Sequence, residues 1–289
     1  MSDVDVNLCE YLLNRPGIDA TLVDDYGNSA LHYACQSTSE VPFVVLEKLI
    51  EKCGADAINA RNKNGQTPLH ILIQCTSRCD VSADIYECLL SKPGIDAILV
   101  DDYGNTALHY ACQHASKVPL VVFKKLIEEY GADVNILSRG KQTPIHVLFD
   151  YAEITHVDVD VLRYLLSQTG IAFKLTGDGD TVLHLACRRF SKVPLDVFKL
   201  LIEDCGADIN ACNDYRQTPL HYFLRCPEIS NVSTDVHEYL LSRPDIDPAL
   251  AEKYGGTILH VACRRFSNVP VKVVEHLIGE YIHLCFQEE

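Results

Sequence analysis

The stretch Asp101–Gln113, DDYGNTALHYACQ, is written a second time, almost letter for letter, at Asp24–Gln36 as DDYGNSALHYACQ. Each copy opens on a turn signal, DYGN, whose glycine tolerates positive φ. A Ser or Thr then occupies a helix N-cap position, and apolar residues follow at helical spacing. Such a unit is too short to bury its own apolar face, so it needs a neighbour of the same kind.

The Leu/Ile-His pair extends this unit along the chain. Its histidines are His32, His70, His109, His146, His184, His221 and His260, spaced 37 to 39 residues apart. TPLH, TPIH and TPLH surround the second, fourth and sixth of them, and GAD recurs at Gly54, Gly131 and Gly206. The segment Asn62–Asp96 shows one whole unit. NKNG makes the turn, Thr67 caps a helix with Pro68 in its first turn, and LHILIQ continues it. After the polar loop TSRCD, Ser82 starts a second helix carrying Ile85, Cys88 and Leu89, which ends at Pro93-Gly94.

On these residues the chain resembles ankyrin-repeat proteins over nearly its whole length. The resemblance implies an all-α repeat solenoid of helix-turn-helix units with β-hairpin-like turn tips. About seven repeats of ~38 residues are expected, against ~33 in most of the family, with the extra residues mainly in the loop joining the two helices. Residues 1–22 read as an N-terminal cap, 23–270 as the repeats, and 271–289 as the last second helix and C-terminal cap. Asp5–Asn14 aligns with Ser82–Ser91, so the chain opens on a second helix.

The repeats also alternate. Odd ones place Ala34, Ala111, Ala186 or Ala262 inside the first helix, and their second helices follow a Val-Pro pair ending at Pro42, Pro119, Pro194 or Pro270. Even ones carry Leu72, Leu148 or Phe223 instead. The larger unit is a pair, and duplication of that pair explains the near-identity of the two opening stretches.

Of the 289 residues, 47% are hydrophobic and 22% charged, ample for a core and unlike a disordered chain. No apolar run approaches the ~20 residues of a membrane span, and the acidic, amphipathic start is unlike a secretory signal. A soluble, cytoplasmic protein is expected. The net charge of −15 argues against DNA as a partner. Thirteen cysteines might suggest a disulfide scaffold, yet Cys35, Cys112, Cys187 and Cys263 each close an LHxAC motif, where a reduced core thiol is the simpler reading.

The same four repeats place His and Cys three apart on one helix face. Zinc needs about four converging ligands, whereas neighbouring helices lie about 10 Å apart. The even repeats keep the histidine without the cysteine. The resemblance makes this histidine structural, bonded to backbone near its own turn. Cys75, Cys79 and Cys88 cluster loosely at irregular spacing, without the pattern of a redox or zinc centre. GDGD at Gly177–Asp180 reads as a polar turn, since the ligand series of a calcium loop is missing. Walker, HExxH, nucleophile-elbow and dinucleotide motifs are all missing, so neither an enzyme nor a cofactor is expected.

In ankyrin proteins a concave groove is lined by turn tips and by the exposed ends of first helices. Carried over, the resemblance implies groove positions at Gln36-Ser37, Gln74-Cys75, Gln113-His114, Asp150-Tyr151, Arg188-Arg189, Arg225-Cys226 and Arg264-Arg265. Tyr26, Tyr103, Tyr215 and Tyr254 recur on the tips. Five arginines, Arg188, Arg189, Arg225, Arg264 and Arg265, crowd the C-terminal repeats and suit a carboxylate or phosphate. The expected function is therefore non-enzymatic: a scaffold holding another protein or peptide, acidic or phosphorylated. The alternatives are a polyanion binder (RNA, inositol phosphate or anionic lipid), a structural arm of a longer chain, or an effector of an intracellular pathogen acting in host cytoplasm, which such arrays resemble.

Overall fold

Side-chain acceptors shape four of the turn tips. Asp101 Oδ1 accepts from the backbone N–H groups of Tyr103 and Asn105, both at 2.8 Å, while the Asp101 N–H donates to the Asn105 carbonyl at 2.9 Å. Asp24, Asn62 and Asn213 repeat the arrangement. Antiparallel bridges Val23–Ser29, Val100–Thr106 and Ala251–Thr257 close three of the tips as short hairpins. This computed structural model describes residues 21–168, 178–226 and 234–265, with Tyr11, Arg15, Asp19, Val269, Val271, Val274, Glu275 and 277–279. The expected opening half-repeat, Gly177 of the GDGD turn, Pro270 and most of the C-terminal cap lie outside the described residues.

Neighbouring tips pair through single backbone bonds, as where the Arg139 N–H donates to the Tyr103 carbonyl at 2.8 Å. The approach leaves no room for a side chain at Gly104: φ is +76°, and an added Cβ would meet the Arg139 nitrogen at 3.0 Å. The fourth and sixth tips break the pattern by holding Lys141 and Arg216 at φ 56° and 58°. Left-handed backbone strains a residue with a Cβ. Lys141→Gly and Arg216→Gly are each expected to raise stability by up to about 1 kcal/mol in chemical denaturation. A loss would show that the side chain makes a compensating contact.

Each first helix starts with Ser or Thr at the N-cap and histidine three residues on. The Thr106 backbone N–H donates to His109 Nδ1 at 3.1 Å, and the Thr106 hydroxyl lies 2.9 Å from the same nitrogen. Because Nδ1 accepts, the ring proton sits on Nε2, which reaches the Gln142 carbonyl of the following turn at 3.1 Å. His32, His184 and His221 bond likewise to the carbonyls of Gln66, Gln217 and Gly256. The histidine is structural as expected, but it ties two successive repeats together rather than its own turn alone. In these four repeats both ring nitrogens are engaged within the protein.

The contacts divide into two compact units, residues 1–153 with 157–161, and 154–156 with 162–289. In the first, helices α1 (Ala30–Gln36), α4 (Pro68–Cys75), α6 (Ala107–Gln113) and α8 (Pro144–Tyr151) lie side by side in chain order. The second helices form another row: α2 (Phe43–Lys52), α5 (Ala83–Leu90) and α7 (Leu120–Lys124), with α3 (Ala55–Ile58) a single turn after α2. Helix α9 (Val159–Leu166) spans the division. The second unit sets α10 (Val182–Arg188), α12 (Pro219–Arg225) and α14 (Ile258–Arg264) in one row, followed in sequence by α11 (Leu195–Lys199) and α13 (Thr234–Leu241) as second helices.

Each unit has its own core. Leu31, Leu72, Ile73, Leu108, Phe123 and Phe149 are buried in the first, and Leu183, Phe198, Leu201, Phe223 and Leu240 in the second. The alternating position is buried in both repeat types: Ala111 and Ala186 are as inaccessible as Leu72, Leu148 and Phe223. The alternation therefore trades volume, not exposure, as close packing of unequal neighbours requires. Among the described residues the fold is an all-α repeat solenoid.

Two local expectations need correction, and one further feature was not foreseen. Cys35, Cys112 and Cys187 are buried, and burial pushes their thiols well up. Cys263 is exposed instead. Ser82 stands at the N-cap of α5, but its side chain makes no capping bond. The second helices after Pro119 and Pro194 are not uniform: α7 and α11 each continue as a five-residue π-turn, Lys125–Glu129 and Leu200–Asp204. Gly131 and Gly206 end these turns at φ +66° and +67°.

Candidate functional site

In the first unit a cleft of about 380 Å³ opens between the tips carrying Tyr103 and Arg139, floored by α6 and α8. Tyr110 and Gln113 reach it from α6 and Tyr151 from α8. Tyr103 and Tyr151 are exposed, at 62% and 58%. Tyr110 is anchored: its hydroxyl donates to Asp101 Oδ2 at 2.6 Å, while Gln66 Nε2 donates to it at 3.2 Å. Burial, then the bond to Asp101, pushes the Tyr110 phenol up to about 12. The floor carries an anchored tyrosine, and two exposed tyrosines stand beside it. His114 lies outside this lining: it caps α6 through its N–H to the Tyr110 carbonyl, and its Nε2 is buried.

A smaller cleft of about 240 Å³ in the second unit is lined by Arg188, Gln217, Tyr222, Arg225 and Cys226. Arg188 ends α10 and Arg225 ends α12, so the repeat period brings the two guanidinium-bearing positions to one cleft. Arg225 Nη2 pairs with Glu252 Oε2 at 2.6 Å, and Gln217 Nε2 donates to the same oxygen at 3.1 Å. Burial pushes the Glu252 carboxyl up, but the bonds from Gln217 and Arg225 outweigh it and hold it below the usual range. Tyr222 donates to Asp180 Oδ2 at 3.0 Å, and its phenol is pushed up, first by burial and then by that carboxylate.

The other expected residues are dispersed around this cleft. Arg265 Nη1 donates to the Arg225 carbonyl, clamping the end of α12. Arg264 is exposed at the end of α14, and Arg189 is half-buried as the C-cap of α10. Tyr215 and Tyr254 stand exposed on successive tips, joined by the Lys253 N–H to the Tyr215 carbonyl at 2.9 Å.

Two features escaped the sequence reading. Tyr33, Tyr110 and Tyr222 directly follow a histidine of the repeat, and each donates to a turn carboxylate: Asp24, Asp101 or Asp180. The recurring LHY was a usable signal. Glu252, the partner of Arg225, carried none, since it lies 27 residues away on another turn.

A family model described as ankyrin repeats matches residues 2–101, 43–138, 115–211 and 189–287. The chain belongs to the ankyrin-repeat family. Ankyrin repeats are generally protein–protein interaction modules, and the fold is typically non-enzymatic. This ankyrin-repeat chain is 32% identical over 250 residues to a putative ankyrin repeat protein, FPV244, of fowlpox virus, covering 73% of this chain and 33% of that one. It is 27% identical over 266 residues to the NAD-dependent deacetylase sir2B of Dictyostelium discoideum, covering 89% of this chain and 30% of that protein. The chain thus spans about a third of the length of these relatives. The crystal structure of the ankyrin repeat domain of Bcl-3 shares the fold, with a TM-score of 0.62 and 20% identity over 88% of this chain and 99% of that one. Among the described residues no helix is long and apolar enough to cross a membrane.

Proposed function

We propose that this ankyrin-repeat chain is a non-enzymatic protein-binding module whose second unit takes an acidic or phosphorylated segment of its partner at Arg188 and Arg225. The observation that carries the reading is the cleft where the ends of α10 and α12 meet. There Arg188 is exposed, and Arg225 is held in place by Glu252 and by its own carbonyl bond from Arg265. A guanidinium fixed in this way loses little freedom on meeting a carboxylate or phosphate. The tyrosines of the first unit's cleft offer the amphipathic area that anchors protein interfaces.

A long polyanion fits less well. Asp180 and Glu252 stand beside the arginines, so the cleft presents alternating charge rather than a basic track. Affinity capture with the wild type and an Arg188→Glu, Arg264→Glu double variant tests the proposal, after circular dichroism shows equal folding. The expected result is a partner retained by the wild type and lost by the variant, with only a modest salt dependence. Equal capture by both would reject the arginines as the binding site. Capture of nucleic acid with a steep salt slope would favour the polyanion instead.

A further inference from the structure

The loop after α4 brings two thiols together. Cys75 ends the helix, and the Cys79 N–H donates to the Cys75 carbonyl at 3.2 Å, closing one more helical turn. That turn leaves the two Sγ atoms 3.0 Å apart, inside the ordinary contact distance of two sulfurs. Residues four apart in such a turn have Cα atoms about 6 Å apart, within the span of a disulfide. The pair is also docked on the preceding repeat. Thr38 Oγ1 lies 3.6 Å from Cys75 Sγ and 3.3 Å from Cys79 Sγ, and Cys75 Sγ donates to the Gln36 carbonyl at 3.1 Å. Cys75 is buried and Cys79 half-buried, so only one of the two faces solvent.

We propose that Cys75 and Cys79 form a reversible dithiol–disulfide pair oxidised by a hydroperoxide. Burial holds Cys75 in the thiol form, which leaves Cys79 as the attacking sulfur. The Cys79 thiolate attacks the outer peroxide oxygen; the O–O bond breaks, and the leaving oxygen takes a proton to become an alcohol or water. Cys79 is then a sulfenic acid. The Cys75 sulfur attacks it, the S–S bond forms, and hydroxide departs with the Cys75 proton as water. Two thiols and one hydroperoxide thus become one disulfide, one alcohol and one water. Oxidation removes the S–H that Cys75 gives to Gln36, so the reaction loosens the seam between the first two repeats of the first unit.

The test treats the reduced protein with a several-fold molar excess of hydrogen peroxide, alkylates the remaining thiols, and maps the digest by mass spectrometry. The expected product is a peptide containing Cys75 and Cys79, lighter by the two thiol hydrogens, that dithiothreitol returns to two alkylatable thiols. Exposed Cys212 serves as the internal control, since it reports how far a solvent-facing thiol reacts. In Cys79→Ser, Cys75 should remain a thiol; in Cys75→Ser, Cys79 should pass beyond the sulfenic acid. Cys79 oxidised to sulfinic acid in the wild type while Cys75 stays alkylatable would overturn the proposal. So would a disulfide from either residue to another cysteine. Should Cys75→Ser fail to fold, the wild-type map and Cys79→Ser still decide the matter.

Discussion

Replacing Leu108 with alanine is expected to destabilise the first unit by roughly 2–5 kcal/mol. Leu108 is 1% exposed, near the start of α6, with α4 on one side and α8 on the other. Removing its isobutyl group forfeits the transfer energy and leaves a cavity that neither neighbouring helix can fill without moving its own cap and tip. Because each repeat is stabilised mainly by the two beside it, loss at one seam weakens the unit as a whole. Leu69 and Leu183, at 2% and 1% exposure, should behave alike in their own units. Urea unfolding followed by circular dichroism measures the effect. Arg188→Ala, at an exposed helix end, should cost under about 1 kcal/mol in the same assay. Equal losses at both kinds of position would mean that the inner and outer faces have been exchanged.

Acidification should produce the other large effect. His32, His70, His109, His184 and His221 are buried, and burial lowers each below the ordinary imidazole value, His70 to about 4. The unfolded chain takes up these protons near pH ~6.5. Between that pH and the lower folded values the unfolded state binds more protons, so stability rises with pH across the window and is lost as pH falls through it. Each histidine contributes up to about 1.4 kcal/mol per pH unit while it remains neutral in the fold and charged outside it. The geometry gives the reason. Nδ1 accepts the N-cap amide, and a proton there would set two donors against each other. Urea titrations from about pH 7 down to about pH 5 should show a steady fall in midpoint, steepening further below as Glu252 loses its charge. A flat profile would show that the imidazoles are open to water.

The Cys75–Cys79 pair shows how much a spacing leaves undecided. Their spacing was visible, but the 3.0 Å approach depends on how the chain turns after α4 and on Thr38 from the preceding repeat. The same holds for the arginines. That they gather at the ends of first helices was legible from the repeat phase. That Arg225 is committed to Glu252 and Arg265 to the Arg225 carbonyl was not. The tyrosine after three of the Leu-His pairs was legible and overlooked, because its purpose appears only when Asp101 or Asp180 is seen to accept its hydrogen bond.

By itself the sequence determined the repeat, its turns, its caps and its buried stripe. These depend on interactions across about four residues, whose periods are written directly in the chain. Tertiary structure alone decided where the second nitrogen of four of the histidines goes and which carboxylate holds Arg225. Those partners stand 27 to 35 residues apart. Their distances are set by how one repeat packs on the next, and no local preference encodes that.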